Sequence, residues 1–149
     1  MKIVLAVDGS KYSEAAAQTL SSTICAPDTE VLVLQVVEPL LFSAPPQMAR
    51  GYAPEMGARL EDALKRAKDS AQRTAEILRK AGFRVESRVI ESEIRTGILD
   101  SAKAWHADLI ALGSHGETGL RKFLLGSTAE FVARHAHCSV LIVRIPEER

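Results

Sequence analysis

Between Leu112 and Thr128 the chain places glycines at 113, 116 and 126, the last followed by the hydroxyl pair Ser127-Thr128. Glycine lets a backbone turn tightly and approach a ligand closely. A helix beginning just past Gly126 would aim unpaired N–H groups at an anion. Together these features outline a phosphate cradle, although turn glycines serving only the fold would give the same spacing.

Other residues offer chemistry on weaker terms. Asp8 follows an apolar run and reads either as a base or as a carboxylate capping the next helix, with no partner acid identifiable. Ser127-Thr128-Ala129-Glu130 matches a capping box, a role that can coexist with phosphate contact at a helix N-terminus. Arg121 and Lys122 lie where a cation could reach a triphosphate, or are simply solvated. His135, His137 and Cys138 straddle a helix end and a strand start as an incomplete ligand set, so no metal site is assigned to the protein. The chain lacks a Gly-x-x-x-x-Gly-Lys-Ser/Thr loop, a Gly-x-Gly-x-x-Gly turn after its first strand and a Gly-x-Ser-x-Gly elbow. That weighs against P-loop NTPases, dinucleotide dehydrogenases and nucleophilic hydrolases, and no residue is assigned a catalytic role.

The elements that must position these groups follow from periodicity. Residues 2–7, 31–37, 109–112 and 139–143 are short apolar runs of the kind buried on both sheet faces, whereas residues 84–90 alternate and suit a sheet edge. Helical spacing is carried by Tyr12, Ala15, Ala16, Leu20 and Ile24, and by Ile94, Ile98, Ala102 and Trp105. It recurs at Ala129, Val132, Ala133 and Ala136, and most strongly from Glu55 to Ala81, with Met56, Leu60, Ala63, Leu64, Ala67, Ala71, Ile77 and Leu78 on the apolar face. Gly82 sits where a C-cap glycine belongs. The Pro-rich residues 39–54 read as a loop long enough to be functional or mobile. Strands alternating with helices predict one parallel sheet with helices on both faces and right-handed crossovers. Ligands bind such sheets beyond the strands' carboxyl ends, where the winding reverses, so Asp8 and Gly113 face one crevice if their strands are neighbours.

With 149 residues the chain is about one domain, able to bury a core without staples. Lys plus Arg and Asp plus Glu both total 19, so no electrostatic footprint for nucleic acid appears. Cys25 and Cys138 provide no disulfide framework and fit a reducing compartment. The first apolar run is too short for a signal peptide or membrane span, so a cytoplasmic protein is expected. Trp105 and the two cysteines read as core residues.

The spacing Gly113, two residues, Gly116, nine residues, Gly126-Ser127 resembles the nucleotide-binding motif of the universal stress protein family, in its ATP-binding subgroup. Val7-Asp8-Gly9-Ser10 is similar to that family's first-strand signature, Ala107-Asp108-Leu109-Ile110 to its fourth strand, and residues 138–144 to its last. The fold expected is a single-domain (1–149), Rossmann-like three-layer α/β sandwich with a five-stranded parallel sheet in the order 3-2-1-4-5. The resemblance implies that Ala6, Val7 and Asp8 lie beside adenosine, that Val36 meets adenine through its backbone, and that Leu112 and Gly113 pack near the ribose. It further implies that Gly116, Gly126, Ser127 and Thr128 hold the phosphates of ATP, AMP or ADP with a bridging Mg or Mn ion. His115 sits inside the motif at a variable position. One departure is the segment Glu91-Ser92-Glu93-Ile94, where relatives often carry a Gly-x-Pro turn.

The last strand, apolar over residues 139–145, would present an unpaired edge if it ends the sheet, and the resemblance implies a homodimer there. The expected function is a nucleotide-dependent stress-response module with little or no turnover, acting without nucleic acid or membrane. A slow ATPase or self-phosphorylating enzyme in the same cleft, and an interaction protein whose glycines serve only the fold, remain as alternatives.

Overall fold

The computed structural model describes residues 1–24, 27–39, 53–116 and 125–145. The apolar runs form β1 (Lys2–Ala6), β2 (Glu30–Val37), β4 (Leu109–Gly113) and β5 (Ser139–Val143), and the alternating segment forms β3 (Arg84–Glu91). Between them come α1 (Lys11–Thr23), α2 (Ala53–Lys80), α3 (Ile94–Ala104) and α4 (Ser127–His135). All strand pairs are parallel, in the order β3-β2-β1-β4-β5. This is the three-layer architecture expected from the alternation of elements.

Successive side chains of each strand feed opposite cores. Ile3, Leu5, Val31 and Val33 pack under α1 and α2 with Ala16, Leu20, Ala71 and Leu78. Val4, Leu32, Leu34 and Ile110 pack under α3 and α4 with Ile98, Ala102 and Val132. Because both faces are covered, the three central strands contain almost nothing polar. β1 and β4 are neighbours, with Ile3 opposite Leu109 and Ala6 opposite Leu112. From their ends the chain departs to opposite faces, through α1 and α4, and the crevice opens between the departing segments.

Several local expectations change. α2 begins at Ala53, so Ala53 and Pro54 leave the predicted loop for the helix. Proline is tolerated in a first turn, where its missing N–H has no intrahelical partner. Residues 40–52 of that loop, like Cys25, Arg121 and Lys122, lie outside the described residues. Ile77 is 50% exposed, and the buried stripe of α2 runs through Ala67, Ala71, Ala75 and Leu78 instead. Ala133 is likewise exposed, beside the buried Ala129 and Val132. Gly82 adopts φ 95° and closes α2 with a Schellman pair, Phe83 N–H to the Leu78 carbonyl and Gly82 N–H to that of Arg79. Trp105 is half-buried against the α3–α4 core, with the Lys2 ammonium 5.2 Å from its ring centre.

The turn that replaces Gly-x-Pro is built on Glu93, the N-cap of α3. Its carboxylate accepts from Thr96 N–H at 2.8 Å, Thr96 Oγ1 at 2.8 Å, Arg95 Nε at 3.0 Å and Arg95 N–H at 3.2 Å. The Thr96 backbone bond, then the Thr96 hydroxyl and Arg95, hold its pKa down at about 2 against a partial desolvation that opposes them. A depressed carboxylate stabilises the fold above its unfolded pKa and loses that contribution as pH falls through the folded one. Since the group is solvent-screened, the expected contribution is that of an ordinary cap, about 1 kcal/mol. Glu93→Ala should therefore cost that much at pH 7 in urea melts. The difference from the parent should shrink between pH 4.5 and 2, and a constant deficit across this window would contradict the cap.

Candidate functional site

A cavity of about 880 Å³ opens at the carboxyl ends of β1, β2 and β4. Each of the eleven residues singled out from sequence lines it: Ala6, Val7, Asp8, Val36, Leu112, Gly113, His115, Gly116, Gly126, Ser127 and Thr128. The sheet order brings them together, because it sets the β1–α1 turn beside the loop that follows β4.

The β1–α1 turn is held by its own side chains. Asp8 Oδ1 accepts the Ser10 N–H at 2.9 Å, and Gly9 takes φ 80°, which suits glycine. Ser10, rather than Asp8, caps α1: its hydroxyl oxygen accepts from Ser13 N–H at 3.3 Å. The cap reading of Asp8 is thus replaced by a turn in which the carboxylate borders the cavity.

The β4–α4 segment closes on itself. Gly126 N–H donates to the Ser114 carbonyl at 2.8 Å, so the two ends of the glycine segment lie side by side. A Cβ at Gly116 would stand 2.9 Å from Asp8 Oδ2, which places this residue directly against the β1 turn. His115 Nδ1 lies 3.0 Å from the buried Ser114 hydroxyl, and its ring sits 5.2 Å from that of Tyr12.

α4 corrects the capping-box reading. Its N-cap is Gly126, in extended conformation with no side-chain cap, and Ser127 is the first helical residue. Glu130 turns away to pair with Arg134 at 2.8 Å. The Ser127 hydroxyl and the first-turn N–H groups of α4 therefore border the cavity without a capping side chain, and an anion placed there would satisfy them.

Strand alternation divides the cavity into two arms. Leu34 and Val36 face α3 and α4, and with Ile94, Ile98, Leu112 and Leu125 they form an apolar slot suited to a flat base. Gln35 faces the other way, where α2 supplies Ala63, Arg66, Ala67, Asp69, Ser70 and Arg73. Sequence reasoning missed this second wall. Its signals were a lone polar residue inside the Val31–Val37 run and polar side chains at positions 66, 69, 70 and 73, one face of a helix.

The histidines near the last strand do not converge on the cavity. His135 Nδ1 lies 2.8 Å from the Phe131 carbonyl oxygen and its ring stacks on Phe131 at 4.2 Å. Cys138 packs half-buried against the α3–α4 core, where burial and then the Asp108 charge push its thiol pKa up. Among the described residues no three His, Cys, Asp or Glu side chains are grouped to hold a metal ion.

Comparison with known proteins extends along the whole of this architecture. The model of the universal stress protein family matches residues 1–144. A universal stress protein of Methanocaldococcus jannaschii is 33% identical over 152 aligned positions, covering 99% of this chain and 84% of the relative. A universal stress protein solved in complex with cAMP superposes with a TM-score of 0.61 at 24% identity, over 97% of this chain and 96% of the other. An Arabidopsis thaliana family member solved with AMP bound gives 0.60 at 19% identity, over 98% and 92%.

Proposed function

The chain belongs to the universal stress protein family, and we propose that it binds an adenine nucleotide, ATP in the first instance, as a regulatory module with little or no turnover. The observation that carries this reading is the uncapped N-terminus of α4 meeting the Asp8 turn in one cavity. The apolar slot takes the base, with Val36 offering backbone groups at its edge. Asp8, Leu112 and Gly113 flank the sugar. Gly116, Gly126, Ser127 and Thr128 receive the phosphates at the positive end of the helix dipole. Two family structures hold AMP and cAMP, which supports the adenine assignment.

A divalent ion fits this donor set. The carboxylate of Asp8, with the hydroxyls of Ser127 or Thr128 nearby, suits Mg, which is usually bound through one or two carboxylates together with phosphates and water. Such an ion would neutralise phosphate charge against the Asp8 carboxylate.

Ser127→Ala provides a test. No described side chain bonds Ser127, so stability of the unliganded protein should change by less than about 0.5 kcal/mol. Affinity for Mg-ATP should fall about tenfold, the worth of one hydrogen bond to a charged group. A loss of about 1 kcal/mol in the unliganded protein would restore the capping box instead. The enzyme alternative rests on the same uncapped hydroxyl, and phosphate release abolished by Ser127→Ala would favour it.

β5 ends the sheet with Val140, Leu141 and Ile142 half-buried. We assign a homodimer to this edge, which sedimentation of the purified chain at micromolar concentration tests, a single-protomer mass overturning it. The Cys138 thiol fits a cytoplasmic setting. No helix among the described residues is long and apolar enough to cross a membrane.

A further inference from the structure

The arm of the cavity beneath α2 has chemistry that a mononucleotide held in the apolar slot and the glycine cradle does not use. α2 covers it with small side chains, Ala63 and Ala67, which leave room above β2. Gln35 projects into this space from the strand, and its Oε1 is a buried acceptor with no hydrogen-bond partner among the described residues. A buried acceptor left unmade is costly, so the atom calls for a donor from whatever fills the arm. Arg66 and Arg73, two turns apart on one face of α2, line the same space. Neither has a carboxylate within 4.0 Å among the described residues, and Asp69 is the one acidic side chain between them. Two guanidinium groups thus face one carboxylate within the arm, with Asp8 at its entrance.

The arm is also joined to the rest of the site. A Cβ at Gly116 would stand 2.9 Å from Asp8 Oδ2, and one at Gly9 would stand 3.2 Å from Ser70 Oγ. The path from the glycine cradle to α2 therefore runs over the Asp8-Gly9 turn, where the sugar of a bound nucleotide lies on the reading given above. A group branching from that sugar away from the cradle enters the α2 arm.

We propose that the α2 arm is a second anion subsite, which takes a phosphate carried on the ribose of the bound adenine nucleotide. The remaining ribose hydroxyl donates to Gln35 Oε1, and the extra phosphate is held by Arg66, Arg73 and the Ser70 hydroxyl. Charge-assisted bonds to guanidinium groups are strong enough to alter ligand preference, and being solvent-exposed here they weaken with salt. The proposal rests on the adenine-nucleotide reading and extends it from mononucleotides to ribose-phosphorylated ones.

Calorimetric titration of the intact chain with AMP, adenosine 3′,5′-bisphosphate and adenosine 2′,5′-bisphosphate tests it. One of the bisphosphates should bind about tenfold more tightly than AMP at low salt. The double variant Arg66→Gln/Arg73→Gln, altered at two exposed positions, should lose most of that advantage while AMP affinity falls by less than about threefold. Gln35→Leu should weaken the bisphosphate severalfold. If AMP binds but neither bisphosphate binds more tightly, or the advantage survives removal of both charges, the subsite is overturned and the nucleotide reading stands. If none of the three ligands binds and Mg-ATP does not bind either, both are overturned together.

Discussion

Gly113→Ala should lower the unfolding free energy by about 3 kcal/mol, at the upper end of what overpacking costs, and Tm by roughly 10 °C. The reason is contact between backbones. A Cβ at position 113 would lie 2.7 Å from the Tyr12 carbonyl carbon and 2.8 Å from its oxygen. Those atoms belong to the first turn of α1, whose place is fixed by Ser10, Ala16 and Leu20, all buried. A flexible side chain could move aside, but here α1 or the end of β4 must shift, and both border the cavity. Equilibrium urea unfolding followed by circular dichroism measures the effect. A loss under about 1 kcal/mol would mean that α1 and β4 separate easily and that Gly113 serves another purpose.

Gly116→Asp should behave in the opposite way, costing the fold little and removing the ligand. Gly116 is exposed, and its near neighbour is the end of the Asp8 side chain. Stability without ligand should fall by about 1 kcal/mol, because the new carboxylate repels Asp8 but can turn to solvent, where the pair is screened. The introduced carboxylate, however, stands where phosphates are held and beside Asp8. Two like charges about 4 Å apart near a protein surface repel by about 4 kcal/mol, which exceeds the ~2.7 kcal/mol that corresponds to a hundredfold in affinity. Mg-ATP binding should therefore weaken at least a hundredfold. Gly116→Asn, of similar size and neutral, should retain much of it, and equal losses from the two substitutions would assign the effect to bulk rather than charge.

The sheet and its helices were legible because burial on two faces leaves a simple pattern. The Val31–Val37 run has to be a covered strand, and the alternation at Arg84–Ile90 has to be an edge. Asp8 and the glycines at the cavity were legible for a related reason, since sheet topology fixes which loops meet and glycines mark where backbones approach, while Ala6, Val7, Val36, Leu112 and Thr128 were named through the family resemblance. What stayed hidden depends on geometry between elements. The polar residues of α2 look like any solvated helix face until the crossover lays them over Gln35. Ile77 fits the helical spacing as well as Leu78 does, and only the seating of α2 on β2 and β3 decides between them. Gly126 displaced Ser127 as the cap of α4 because the bond from Gly126 N–H to Ser114 sets where the helix begins. Glutamate is an uncommon cap, so Glu93 was seen only as a departure from a turn motif, not as the residue that replaces it.

The central claim is that this cavity holds an adenine nucleotide, and thermal unfolding of the purified chain with and without Mg-ATP tests it most directly. At a hundredfold excess over its dissociation constant, a ligand specific to the folded state adds ~2.7 kcal/mol. For a domain of this size that raises Tm by roughly 5–10 °C. A rise of that order, absent in Gly116→Asp, is the expected result; an unchanged Tm at millimolar Mg-ATP, from protein that releases no adenine nucleotide when denatured, would contradict it.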